Sequence, residues 1–332
     1  MGLISCAETP SVNSNTETTE NTATNTSTTT GERPLVVATT SVLCDLTKQV
    51  AAQTVDLKCL VDAGSDPHTY QPKPEDRKAI EQANLVLYGG YDFEPSIIKL
   101  VQASTNTAPK VAVHEVAVPK PIMGEEHDHD HDHEGEKHSE EEKHSDEKAP
   151  DPHVWHNPQN GIQMVEVIRS NLEKVSPNNA QLYATNAEKV TGEIKQIDGW
   201  IKQNIATIPA AQRQLVTTHD ALSYYTQAYN INYEGAIEGL STEAQPTAAR
   251  IAELSKQIKQ ENVPTIFAET THSPKLLEQV AREANVKVSE EKLYADGLGE
   301  QGTDADTYQK MLIANTKAIV DGLGGKYTAF QN

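Results

Sequence analysis

From residue 35 onward, short apolar runs alternate with stretches in which apolar positions recur at helical spacing. Leu35-Val36-Val37-Ala38 is a continuous apolar run, the pattern of a buried strand, and it ends in Thr39-Thr40. The period then changes. Leu43, Leu46 and Val50 recur every three or four residues and predict a helix from Ser41 to about Ala52. A strand over Leu57–Val61 follows, and Pro74 to Ile98 runs helix, strand Leu85–Tyr88, then a second helix opened by Glu94-Pro95-Ser96. The second half repeats this order. Gln214–Thr218 is an apolar strand ending in two threonines before a helical run. Pro246 to Val280 runs helix, strand Thr265–Ala268, then a helix opened by His272-Ser273-Pro274.

Strands alternating with helices predict parallel βα units, and their recurrence predicts two similar α/β lobes of parallel sheet flanked by helices. Between the halves, Leu182, Val190, Ile194, Ile197, Trp200 and Ile201 mark one face of a single helix from about Asn178 to Ile205. Gly192 and Gly199 weaken it slightly, but no proline interrupts it. Such a helix is a stiff connector. The expected organisation is therefore an N-terminal tether over 1–33, a first lobe over 34–177, the connecting helix over 178–206 and a second lobe over 207–332.

Two polar tracts fall outside this scheme. Residues 8–33 are Thr-, Asn- and Ser-rich and too poor in apolar residues to pack, so they read as a disordered tether. They follow Leu3-Ile4-Ser5-Cys6, which resembles a bacterial lipobox and makes Cys6 the expected lipid anchor. Five residues before it are too few for a signal peptide, so the expectation is that a leader is cut short. The second tract is an insertion at about 119–150, expected to be disordered. Between Glu125 and Lys148 it holds twelve Asp or Glu against three Lys, a net charge of −9, and six histidines: His127, His129, His131, His133, His138 and His144.

Charge narrows the function. The formal net charge of −20 argues against a nucleic-acid partner and against general adhesion to an anionic membrane, and no run of about twenty apolar residues exists. Cys44 and Cys59 can pair as a disulfide in an exported protein or sit apart as small core residues; both readings stay open.

The tripeptide Asp-Pro-His occurs at 66–68 and again at 151–153, with an aromatic two residues on each time (Tyr70, Trp155). Proline restricts itself and its predecessor, so His68 and His153 are presented from stiffened turns and read as metal ligands. His219 closes the strand that ends in Thr217-Thr218, where parallel α/β sheets bind ligands, and is a third candidate.

SDPHTYQPKPED, DPHVWHNPQN, LVTTHDALSYY, EGLSTEAQPTAARIAEL, the run from Thr265 to Glu283 and LYADGLGEQGTDADTYQKML together resemble the metal-binding solute-binding proteins of bacterial ABC importers. The similarity spans roughly 34–325. It implies two α/β lobes joined by a rigid helix, with a metal ion held in the cleft by His68, His153, His219 and Asp296. It further implies an extracytoplasmic monomer, in the periplasm or at the cell surface, that hands its ion to the membrane permease of an importer. His156 stands where such relatives usually carry an apolar residue and is expected at the surface or behind a ligand. His114 and His272 match no ligand position and read as structural.

Manganese-binding members of that family look like two histidines and two carboxylates, with Glu at the place of His219. Three imidazoles and one carboxylate suit zinc better, so Zn2+ is the expected cargo and manganese the alternative. The six insertion histidines are expected to scavenge or sense zinc more weakly than the built site, because a flexible chelator must be ordered each time it binds. A zinc hydrolase is the rival class. It would keep one coordination position open for water, which a fourth ligand closes, so no enzyme activity is expected. A surface adhesin role is compatible with a lipid-anchored protein.

Overall fold

The computed structural model describes residues 33–125, 148–243 and 246–331, with the compact body beginning at Arg33. Cys6, the tether and the six insertion histidines lie outside the described residues.

In the first half, β1 (Leu35–Ala38) leads into α1 (Ser41–Ala51), β2 (Asp56–Cys59), α2 (Pro74–Gln82), β3 (Leu85–Tyr88), α3 (Pro95–Ala103), β4 (Lys110–Ala112) and the short α4 (Val113–Ala117). The strands form one parallel sheet in the order β2-β1-β3-β4. Local chemistry sets the helix starts. The Thr40 side chain caps α1 by accepting the Leu43 amide, and Pro74 and Pro95 stand in the first turns of α2 and α3, where no amide donor is needed. Leu43, Leu46 and Val50 are fully buried, as their spacing requires. The second strand is shorter than expected: pairing stops at Cys59, and Leu60 and Val61 continue with single backbone bonds to Ala38 and Thr39. Cys44 on α1 and Cys59 on β2 are joined as a disulfide, their Cα atoms 5.7 Å apart.

A two-stranded antiparallel pair, β5 (Met123–Glu125) with β6 (Lys148–Pro150), closes the roots of the acidic insertion. This corrects the expected boundaries, since its first and last residues are structured. Gly124 lies against the Leu240 side chain and the Ile122 amide donates to the Tyr224 hydroxyl, so the second half supplies the packing that the segment lacks by itself.

Next come α5 (Pro158–Val175) and the connecting helix α6 (Ala180–Ile205), whose 26 residues span about 39 Å. Its buried face is Tyr183, Ala187, Val190, Ile194, Ile197 and Ile201. Leu182 is instead exposed, because Tyr183 occupies that turn of the stripe. The second half runs β7 (Gln214–His219), α7 (Ser223–Tyr229), β8 (Asn232–Glu238), α8 (Ala248–Glu261), β9 (Thr265–Ile266), α9 (Lys275–Ala284), β10 (Lys287–Val288) and α10 (Tyr308–Gly322). Strands β7 and β8 are parallel, as are β9 and β10, and the Phe267 amide bonds the Val216 carbonyl at 2.9 Å to link the pairs. The resulting order, β8-β7-β9-β10, repeats that of the first half. Strand β9 is two residues shorter than expected.

The fold is thus α/β, with two similar halves of parallel sheet and a long connecting helix. Its largest apolar core is shared. Val36 and Leu87 of the first sheet, Leu215 of the second and the inner faces of α1, α5, α6 and α10 belong to one continuous cluster. At about 1.5–3 kcal/mol for each fully buried large aliphatic chain, that common core stiffens the frame on which the site is mounted. No helix among the described residues is long and apolar enough to cross a membrane.

Candidate metal centre

His68, His153, His219 and Asp296 come together, all buried, although they arise from four separate segments. Each is placed by its local sequence. In both Asp-Pro-His turns the aspartate accepts the histidine amide at 2.9 Å, so Asp66 and Asp151 close the turns that the prolines stiffen. His219 ends β7. Asp296 lies in the loop before α10, where Thr271 Oγ1 donates to its Oδ2 at 2.7 Å and leaves Oδ1 facing the three rings. Phe93 meets the His68 and His153 rings edge-on at 5.0 and 5.5 Å and limits their rotation.

All four donor atoms lie within 4.8 Å of one another, and five of the six edges between them are close to tetrahedral length. His153 Nε2 is 3.3 Å from His68 Nε2 and 3.4 Å from His219 Nε2. Asp296 Oδ1 lies 3.5, 3.6 and 3.0 Å from the Nε2 atoms of His68, His153 and His219. A tetrahedron whose corners stand about 2.1 Å from its centre has edges of about 3.4 Å, so one transition-metal ion fits at ordinary bond lengths. Asp296 Oδ1 is moreover buried with no hydrogen-bond partner, a costly arrangement unless a cation or proton compensates it.

Two carboxylates orient the rings from behind. His153 Nδ1 donates to Asp151 Oδ1 at 2.8 Å, and His219 Nδ1 donates to Glu269 Oε2 at 2.5 Å. Glu269 Oε1 also accepts the amides of Thr218 and His219, both at 3.1 Å. With the proton held on Nδ1, each Nε2 turns a lone pair inward, the form that ligates a metal. Without an ion the lone pairs repel, and protons take its place. Burial alone would depress His219, but Asp296 and Glu269 outweigh it and hold the ring well above the usual imidazole range. His153 is raised against the same effect of burial by Asp151 and Asp296, whereas burial dominates at His68 and lowers it. Burial works against ionisation of Asp296 as well, yet the charge of His219 and the closeness of the three ring nitrogens keep its carboxyl well below the ordinary value. An ion held by this cluster would have to displace protons.

Three other histidines need comment. His156 is buried, not at the surface, and its Nε2 donates to the Ala295 carbonyl at 2.8 Å, which anchors the loop bearing Asp296. His114 is buried against Phe93 and Trp155. His272, read from sequence as structural, stacks on His219 with ring centroids 5.0 Å apart, and its Nδ1 donates to Thr271 Oγ1 at 2.9 Å and lies 3.3 Å from Glu269 Oε2. Sequence reasoning also missed Glu269 and Asp151 in their supporting role. The repeated Asp before Pro-His was a usable signal for Asp151; for Glu269 none existed, since it meets His219 only through the pairing of β9 beside β7.

Two α/β halves on a stiff helix, with a buried cluster of three imidazoles and a carboxylate, define a metal-binding solute receptor. Sequence comparison makes the assignment specific: residues 36–322 match the family described as zinc-uptake complex component A, periplasmic. The chain belongs to that family. It is 30% identical over 300 residues to the manganese ABC transporter substrate-binding lipoprotein PsaA of Streptococcus pneumoniae serotype 4, covering 89% of this chain and 91% of the relative. It is 28% identical over 293 residues to the manganese-binding lipoprotein MntA of Halalkalibacterium halodurans, covering 88% and 89%. Among solved structures, the periplasmic zinc binding protein TroA of Treponema pallidum superposes with a TM-score of 0.77 at 27% identity, covering 88% of this chain and 99% of that one. Members of this family are substrate-binding components of ABC importers rather than enzymes.

Proposed function

We propose that this protein captures a divalent transition-metal ion outside the cytoplasm, in the periplasm or on a lipid anchor at the cell surface, and delivers it to the membrane permease of an ABC importer. The observation that carries this reading is the convergence of His68, His153 and His219 Nε2 with Asp296 Oδ1 at tetrahedral spacing in a buried cluster. These four residues are the proposed ligands. Four protein donors complete a tetrahedral sphere and leave no open position for a reacting water, in keeping with a carrier.

The cargo has two readings. Three imidazoles and a carboxylate whose second oxygen is engaged by Thr271 make a nitrogen-rich, four-coordinate set, which favours zinc over manganese. The relatives' names weigh the other way. Those quoted are mostly manganese proteins, and on that ground manganese stands ahead of zinc, even though the family description and the Treponema protein name zinc. The histidine- and acid-rich segment between residues 126 and 147 is proposed to scavenge or sense the same ion with lower affinity.

The test is to strip the full-length protein of metal, offer equimolar zinc and manganese at pH 7 and analyse the bound ion, with and without residues 126–147. One tightly held equivalent in both forms, enriched in zinc, supports the donor-set reading. Manganese enrichment overturns zinc and establishes the second reading. Absence of any tight equivalent overturns the receptor assignment.

A further inference from the structure

Beside the four-donor cluster, a second pair of donors lies face to face without a hydrogen bond. Glu238 ends β8, and its backbone is the ladder partner of His219 on β7. His272, in the loop before α9, stacks on the outer face of the His219 ring. His272 Nε2 and Glu238 Oε2 lie 3.8 Å apart. Both atoms are buried and neither has a hydrogen-bond partner, although the two side chains keep 10% and 8% of their exposure, against essentially none at Asp296 and His219. They thus lie nearer the surface than the inner donors.

The orientation of His272 repeats that of the inner rings. Its Nδ1 donates to Thr271 Oγ1 at 2.9 Å, the hydroxyl that in turn donates to Asp296 Oδ2, and it lies 3.3 Å from Glu269 Oε2, which leaves Nε2 as the lone pair on the Glu238 side. A lone pair opposite a carboxylate, both buried, is an unfavourable arrangement that a shared cation relieves. Metal bonds of about 2.0–2.2 Å to each donor span 3.8 Å with a wide angle at the ion. Imidazole with carboxylate is a donor pair for the same borderline divalent ions as the inner cluster.

We propose that His272 Nε2 and Glu238 Oε2 form an outer metal site, through which the ion passes on its way to the buried cluster. The proposal rests on the receptor reading above. With only two protein donors and water for the rest, the site binds weakly and exchanges fast. It holds a partly hydrated ion next to the inner cluster.

The test follows loading of the metal-free, full-length protein with zinc chloride by stopped-flow tryptophan fluorescence, in wild type, Glu238→Gln and His272→Gln, at about 0.5 M salt, where long-range steering is screened. Equilibrium affinity for the tight equivalent is measured on the same samples. Both variants are expected to load about tenfold more slowly, within the range by which a focused cation site raises encounter rates, while tight affinity changes less than about threefold. His272→Gln leaves the Glu238 carboxylate in place, so slowing in Glu238→Gln alone would mean simple charge attraction and overturn the proposal. Wild-type rates in both variants would mean that a proton or water fills the gap, and would also overturn it. Anomalous scattering at the zinc edge from zinc-soaked wild-type crystals should show a second peak between Glu238 and His272, absent in Glu238→Gln. A filled inner cluster with no such peak counts against the outer site. Failure of the wild type to bind tightly at all would sink the receptor reading instead.

Discussion

Replacing Glu269 by Gln changes one atom and tests how the His219 ring is held. In the native arrangement Oε1 accepts two backbone amides, from Thr218 and His219, while Oε2 accepts the His219 Nδ1 proton. An amide cannot do both. With its oxygen on the backbone amides, its NH2 confronts Nδ1, and the ring must move its proton to Nε2, the atom that faces Asp296. With the amide reversed, two buried backbone donors lose their acceptor, at a cost of about 1–3 kcal/mol. Either way the inward lone pair is lost or expensive, and zinc affinity should fall about 10- to 100-fold, or about 1.4–2.8 kcal/mol. Asp151→Asn is the matched control. Asp151 Oδ1 alone accepts both the amide and Nδ1 of His153, and Oδ2 has no partner. An asparagine oxygen can keep both bonds, so affinity should fall less than about tenfold. Both variants remove one buried charge, so a purely electrostatic effect would weaken them alike. The assay is chelator competition for zinc at pH 7, with imidazole nitrogen chemical shifts reporting the tautomer. Equal losses, or an unchanged Glu269→Gln, would refute the idea that this carboxylate selects the ligating form.

Two further outcomes concern stability. Glu94 is fully buried, and burial pushes its carboxyl up to about 7, although it accepts from Thr39 Oγ1 and the Gly89 amide. A folded value above the unfolded one contributes stability that is present below about pH 4.5 and lost as pH rises through about 7. Glu94→Gln should therefore match wild type near pH 5 and exceed it by up to about 3 kcal/mol at pH 8 in denaturant unfolding; an equal difference at both pH values would contradict this. Taking wild type minus variant cancels the opposite dependence of His114 and His156, which burial holds down to about 3. The Cys44–Cys59 disulfide closes a loop with a sequence separation of 15, and its removal in Cys44→Ser/Cys59→Ser should cost about 3 kcal/mol by the same unfolding measurement.

Much of the frame was legible in the sequence because helical and strand periods are local. The stripe of α1, the long uninterrupted α6 and the twofold strand-helix order all follow from residues within a few positions of one another, and the strand pairs of the second half, linked by the Phe267–Val216 bond, follow the order of the first sheet. Three of the four converging donors carried local marks as well: two stiffened Asp-Pro-His turns and a histidine at a strand end. Asp296 carried none and came only through resemblance to a family. What sequence could not supply is whatever depends on strands meeting at a distance. Glu269 reaches His219 because β9 lies beside β7. Glu238 faces His272 because β8 flanks β7 on the other side. His156 turns inward because the Ala295 carbonyl is there to accept its proton. A side chain's period tells which face it takes, but the partner on that face is chosen by the packing of remote segments. The tautomer of each ring, and with it the capacity to hold a metal, was therefore decided only in the tertiary structure.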